Sequence, residues 1–168
     1  MKKVMIGTMT HPKQDHFDTP EYAVKPLLPY LNKKWRYWEP TDTYGRSGIA
    51  EALTANKFKV VTTKQVDIDF LKDDAPFKYD CIITNPPFSQ KDAFIKRCID
   101  LGKPWAMLLP ITALEGVQRG KLFKACDVEL LVLDRRVEFM NGSVRFNTSW
   151  FCCFILPENL MFAELKKE

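Results

Sequence analysis

The sequence predicts a single α/β domain built on a mostly parallel sheet of about seven strands with helices on both faces. Three observations lead there. Short apolar runs rich in β-branched and aromatic residues alternate with segments of helical spacing, the rhythm that parallel sheets with crossover helices require. Two of those runs end in chemically unusual loops, Glu39-Pro40 and Asn85-Pro86-Pro87, and open α/β sheets place ligands outside the carboxyl ends of their strands. No repeat, low-complexity tract or Gly/Ser linker divides the 168 residues. A chain of that length buries roughly two thirds of its unfolded surface in one core.

Taken in order, 1–15 reads as an N-terminal extension, and Asp18-Thr19-Pro20 as a helix start whose helix Pro26 and Pro29 keep short or kinked. Trp35-Arg36-Tyr37-Trp38 reads as the first strand, 49–56 as a helix, 58–62 as the second strand, and a short third strand is expected near Val66. The fourth, 79–84, is the clearest, because it runs into two prolines that lack backbone donors and must end the pairing. Ser89 and Asp92 form a capping-box pattern, after which Phe94, Cys98 and Leu101 share one helical face. A fifth strand spans 105–109 and closes at Pro110, and Thr112 with Glu115 suggests a second capping box for a helix reaching Ala125. Strands at 128–133 and 150–156 complete the sheet, and 158–168 reads as a C-terminal tail. Between those strands, 134–149 is too long and polar for a tight turn. Strand extensions around Asn141-Gly142 and a substrate-facing loop are expected there.

Composition narrows the function classes. With 46% hydrophobic and 27% charged residues, the chain has no apolar run approaching the roughly 20 residues that span a bilayer. Its opening residues lack the apolar stretch of a secretory leader, so a cytoplasmic location and no membrane partner are expected. The five cysteines have no ligand spacing and lie in or beside apolar runs, which predicts buried reduced thiols. His11 and His16 have no convergent Cys or carboxylate, so no metal is expected. A net charge of +4 and a pI near 8.7 suit a polyanionic partner. Arg136 and Arg145, near the expected substrate loop, are candidates for phosphate contact.

Asn85-Pro86-Pro87-Phe88 has the residue types for handling a planar amine. The lone pair of an aromatic exocyclic amine is delocalised into its ring, so an enzyme gains by directing that pair at an electrophile. The Asn85 side-chain oxygen and the Pro86 carbonyl would each accept one amine hydrogen, Pro87 would stiffen the loop, and Phe88 would stack on the ring. No strong base is needed, because the amine gives up its proton during or after the displacement. A base in a duplex would have to leave its stack first.

In this order and spacing the motifs resemble those of the N6-adenine DNA methyltransferase group, in particular the compact proteins encoded by bacteriophages, within the class I Rossmann-like S-adenosylmethionine-dependent methyltransferases. The likeness extends from about Asp15 to about Pro157. Asp18-Thr19-Pro20 resembles the entry motif, Glu39-Pro40 with Gly45 the cofactor loop, Asp69-Phe70 the acidic motif at the cofactor's adenine, and Asn85-Pro86-Pro87-Phe88 the catalytic motif. The resemblance implies S-adenosyl-L-methionine as cofactor, bound by Thr19, Pro20, Glu39, Pro40, Gly45, Asp69, Phe70 and Asn85. It implies DNA as partner, with a homodimer or a partner subunit for target recognition. Thr43 stands where the family has the first glycine of its loop, and Thr63 and Lys64 where an acid would hold the ribose. An RNA base or protein glutamine as acceptor, or a binding module that has kept only the fold, remain alternatives at this point.

Overall fold

The computed structural model describes residues 17–42, 47–63, 68–140 and 146–167. Seven strands form one sheet: β1 (Arg36–Glu39), β2 (Lys59–Thr62), β3 (Cys81–Thr84), β4 (Trp105–Pro110), β5 (Glu129–Leu133), β6 (Thr148–Cys153) and β7 (Leu160–Ala163). Their spatial order is β2-β1-β3-β4-β6-β5-β7. Only β6 runs against its neighbours, pairing antiparallel with β4 and β5, and every other pairing is parallel. This is the expected Rossmann-like architecture. Its strand order turns around between β1 and β3, since the chain goes outward to β2 and returns on the other side of β1.

Helices α1 (Glu21–Val24) and α2 (Gly48–Ala55) cover one face of the sheet, and α3 (Lys91–Leu101) and α4 (Val117–Cys126) the other. Strand alternation sorts the core between the faces. Tyr37, Cys81, Ile83, Ala106 and Leu108 pack under α1 and α2 with Leu27, Ile49 and Leu53. Trp38, Ile82, Trp105, Met107 and Leu109 pack under α3 and α4 with Phe94, Ile95, Cys98 and Phe123. Trp38, Trp105 and Trp150 are fully buried, each worth about 4–6 kcal/mol of transfer free energy for the roughly 150–250 Å² an aromatic side chain hides. The Trp150 indole also donates to the Ala23 carbonyl at 2.8 Å, fastening α1 to β6. All five cysteines are buried free thiols, and burial pushes those of Cys81, Cys98 and Cys152 well above the usual thiol range.

Several boundaries correct the sequence reading. Both N-caps fall at other residues than the capping-box patterns suggest. A 3-10 turn at Phe88–Gln90 makes Gln90 the N-cap of α3 without a side-chain cap, and Asp92 accepts from Arg119 of α4 instead. A second 3-10 turn, Ile111–Leu114, likewise precedes α4, whose N-cap is Gly116 at φ 126. In both places a tight turn leaving the double proline or Pro110 takes the residues that capping needed. The C-terminal segment is not a tail, because Leu160–Ala163 adds β7 alongside β5. Its alternating exposure, apolar on both faces at an edge, hid it from pattern reading. The strand expected near Val66 and the turn at Asn141-Gly142 lie outside the described residues, as do His11, His16, Lys64 and Arg145. Among the described residues no helix is long and apolar enough to cross a membrane.

Candidate active site

The two unusual loops meet where the strand order turns. β1 and β3 are hydrogen-bonded neighbours, with Tyr37 beside Cys81 and Trp38 beside Ile82, so their carboxyl ends deliver Glu39 and Thr84-Asn85 to one place. Pro40 ends β1 and the Pro86-Pro87 pair ends β3, because each removes a ladder donor. The third wall is the segment before α1. There Gly48, the first residue of α2, lies so close to the Thr19 carbonyl that a Cβ on it would sit 1.8 Å from that oxygen. Glycine is required here by contact, not by backbone conformation.

Glu39 is almost wholly buried yet well connected. Its Oε1 accepts from the Thr41 amide at 2.9 Å, the Thr41 hydroxyl at 2.7 Å and the Thr84 hydroxyl at 3.0 Å. The two hydroxyls are themselves 3.0 Å apart, and Thr41 also reaches the Asn85 carbonyl at 3.3 Å, so one carboxylate oxygen ties β1 to β3. Burial pushes the carboxyl above the usual range, against the pull of Ser47, Thr41 and Thr84 towards the ionised form. Ser47 lines the same cavity, but among the described residues no donor, Ser47 included, meets hydrogen-bond geometry at Oε2.

Asn85 is held by its amide nitrogen, which donates to the Phe17 carbonyl at 2.8 Å and to the Thr19 hydroxyl at 3.0 Å. A backbone carbonyl can only accept, so the NH2 group must face Phe17 and the orientation of the amide is fixed. Among the described residues the side-chain oxygen has no donor. Five buried side-chain polar atoms among the described residues lack a partner, and three of them, Glu39 Oε2, Asp42 Oδ1 and Asn85 Oδ1, belong to the ends of β1 and β3. Buried polar atoms are nearly always satisfied, so three acceptors in adjoining loops that the described residues leave unsatisfied mark a place where further donors are needed.

Those acceptors adjoin two hollows. Phe17, Thr19, Glu39, Thr41, Ser47 and Asn85 line a recess of about 20 Å³, room for little more than one water. Ser47 also borders a groove of about 540 Å³ with Asp42, Glu51, Thr54, Val60 and Thr62, between α2 and β2, within the roughly 300–1,000 Å³ typical of small-molecule sites. The two hollows share Ser47 in their linings. Thr63 at the end of β2, where an acid is absent, accepts from the Trp38 indole at 3.2 Å.

The other expected residues fall into two groups. Thr19, Pro20, Pro40 and Pro86 are buried around the recess or directly beside its lining, with Pro87 partly exposed next to them. Phe88 is partly buried in an aromatic cluster, stacked on Phe17 at 5.4 Å and edge-on to Phe139 and Phe146 at 6.4 and 5.4 Å. Asp69 and Phe70 line neither hollow. Asp69 caps its own turn by accepting from the Leu71 amide and pairs with Lys72, which holds its carboxyl below the usual range. Phe70 is a core residue, stacked on Phe94 at 5.0 Å and edge-on to Trp38 at 4.9 Å. Gly45 and Thr43 lie outside the described residues.

Sequence reasoning overlooked Thr41, Asp42 and Thr84, which look like ordinary strand-end polar residues. It overlooked also Phe17, Phe139 and Phe146. The one available signal was the pair of threonines flanking the acid and the asparagine. From the 134–149 segment, Phe139 and Phe146 pack on Phe88, and the Met140 amide donates to the Asp18 carbonyl at 3.1 Å.

No family model matches the sequence, and no curated protein matches it. Solved structures do. One is a Listeria monocytogenes protein described as a class I S-adenosylmethionine-dependent methyltransferase, 12% identical, covering 93% of this chain and 68% of its own, with a TM-score of 0.62. Another, from Agrobacterium tumefaciens, is described as a predicted O-methyltransferase, 11% identical, covering 86% and 84%, with a TM-score of 0.52. The chain is similar to both in the path of its backbone, and its fold is that of the class I S-adenosylmethionine-dependent methyltransferases.

Proposed function

We propose that this protein is an S-adenosylmethionine-dependent N-methyltransferase that modifies the exocyclic amine of adenine in DNA. The observation that carries the reading is the Asn85 side-chain oxygen, a buried acceptor with its orientation fixed and its donor missing, at the turning point of a methyltransferase fold. The +4 net charge and the aromatic cluster at Phe88 agree with a flipped nucleobase as the planar acceptor.

The chain's own residues fit the cofactor at its polar end. Glu39 Oε2 and Asp42 Oδ1 are acceptors suited to ammonium and hydroxyl donors, and a carboxylate there also favours a neighbouring positive charge. Ser47 and Thr62 in the groove offer further polar contacts. S-adenosylmethionine, when bound, supplies an electrophilic methyl on sulfur, so that the carbon–sulfur bond breaks as the carbon–nitrogen bond forms.

On the acceptor side, Asn85 Oδ1 takes one amine hydrogen and thereby draws the nitrogen lone pair out of conjugation. Phe17 and Thr19 hold the amide so that this oxygen needs no reorientation when the amine arrives. Phe88 provides the face for the base, in the position where Phe17 now stacks. The leaving proton passes to solvent. Purified protein incubated with DNA and S-adenosylmethionine carrying a labelled methyl should label the DNA. Loss of that label in Asn85→Ala with unchanged fold supports the reading, and no transfer by the unaltered protein to any DNA contradicts it.

A further inference from the structure

Two of the five cysteines, Cys126 and Cys153, come together at the end of the sheet away from the candidate active site, where Cys153 lies beside Trp105 at the start of β4. α4 ends at Cys126 as Asp127 takes the left-handed conformation at φ 50 and turns the chain towards β5, and β6 ends at Cys153 as Phe154 does the same at φ 58. β5 and β6 run antiparallel with Glu129 beside Cys152, so the chain entering β5 returns the end of α4 to the end of β6. There the Cys153 thiol donates to the Cys126 carbonyl at 3.1 Å, and the Cys126 thiol to the Phe123 carbonyl at 3.8 Å. The two thiols also hydrogen-bond each other. With Cys153 as donor, that bond outweighs burial and holds the Cys126 thiol below its usual range, while the same bond and then burial push Cys153 up. The remaining cysteines are arranged otherwise. Cys152 points to the opposite face from Cys153, and Cys81 and Cys98 pack on opposite faces of the sheet.

We infer that Cys126 and Cys153 are an oxidative modification site, a dithiol that a peroxide converts to a reversible disulfide fastening the end of α4 to β6. A peroxide is small enough for a place where Cys126 is 8% and Cys153 2% exposed. The division of labour follows the hydrogen bond between the thiols, because its acceptor, Cys126, is the sulfur that ionises first and its donor, Cys153, already stands beside it. The Cys126 thiolate attacks one peroxide oxygen, the oxygen–oxygen bond breaks, hydroxide leaves, and Cys126 becomes a sulfenic acid. The Cys153 sulfur then attacks the Cys126 sulfur and displaces the sulfenic oxygen as a second hydroxide. The two thiol protons end on the two hydroxides, so two thiols and one peroxide give one disulfide and two waters.

Intact-mass measurement of the native full chain, before and after a small molar excess of hydrogen peroxide, tests this. The product should be lighter by two hydrogens, and a thiol reductant should restore the mass. Peptide mapping without reductant should join the peptide of Cys126 to that of Cys153, and Cys126→Ser should abolish the link. Sulfurs already within hydrogen-bond reach make a bridge with little strain, so the cross-linked chain should melt several degrees above the reduced one. An unchanged mass overturns the inference, as does oxygen added without a link, a link between any other cysteines, or a cross-linked chain that melts no higher.

Discussion

At the scale of single residues, the site rests on acceptors whose donors the described residues do not supply. Asn85→Ala removes the one oriented acceptor at the end of β3, and loss of a preorganised group of this kind lowers turnover about 100- to 1,000-fold. Steady-state rates measured beside a thermal melt separate that loss from unfolding. Phe88→Ala should act differently, raising KM more than it lowers kcat, because stacking on a base is worth about 1–3 kcal/mol in binding. An equal fall in kcat would place Phe88 in the reacting geometry instead. Glu39 carries a stability penalty as well as a role. Its carboxyl is raised in the folded protein by burial, so the folded state holds its proton more tightly than the unfolded chain. Stability therefore falls as pH rises from the ordinary carboxyl range through the raised folded value, and the penalty stays in full above it. Glu39→Gln should remove that dependence, raise the melting temperature at neutral pH and abolish cofactor affinity. A lower melting temperature at neutral pH would show that the three donors on Oε1 outweigh the burial. The acid, the asparagine and Phe88 were legible because proline neighbours made them conspicuous, whereas Thr41 and Thr84 were not, since their role exists only once β1 and β3 are paired.

Among the elements, the contact between α2 and the segment before α1 decides whether the recess has a third wall. Gly48→Ala would force a Cβ into the Thr19 carbonyl, and overpacking of this kind costs about 1–3 kcal/mol. Denaturant titration should show that loss together with weaker cofactor binding, because Thr19 also holds the Asn85 amide. A neutral substitution would mean that the 17–20 segment moves aside freely. The strands were legible wherever an apolar run met a proline, as in β1, β3 and β4. Helix starts were not, because a capping-box pattern describes local chemistry while Asp92 was taken by Arg119 from another helix. An aromatic after an acid looks like a ligand contact in sequence, whereas the packing of Phe70 on Trp38 and Phe94 shows only in the fold.

For the whole molecule, the sheet brings the two loops together through a single adjacency, β1 beside β3. The sequence reading expected about seven strands but not β7, which lies alongside β5, while the strand expected near Val66 lies outside the described residues. Edges carry the weakest patterns, since neither face needs to be apolar. The modest excess of positive charge makes a general prediction. DNA affinity measured by fluorescence anisotropy should fall as salt rises, with a log-log slope of about −0.9 for each phosphate contacted, and a salt-independent affinity would remove nucleic acid as the partner. The central claim concerns the fate of one methyl group. DNA incubated with the protein and S-adenosylmethionine bearing an isotopically heavy methyl, then digested to nucleosides, should give by mass spectrometry deoxyadenosine carrying that methyl on its exocyclic nitrogen, and none with Asn85→Ala. Heavy methyl on another base or on protein, or on no acceptor at all, would contradict the account.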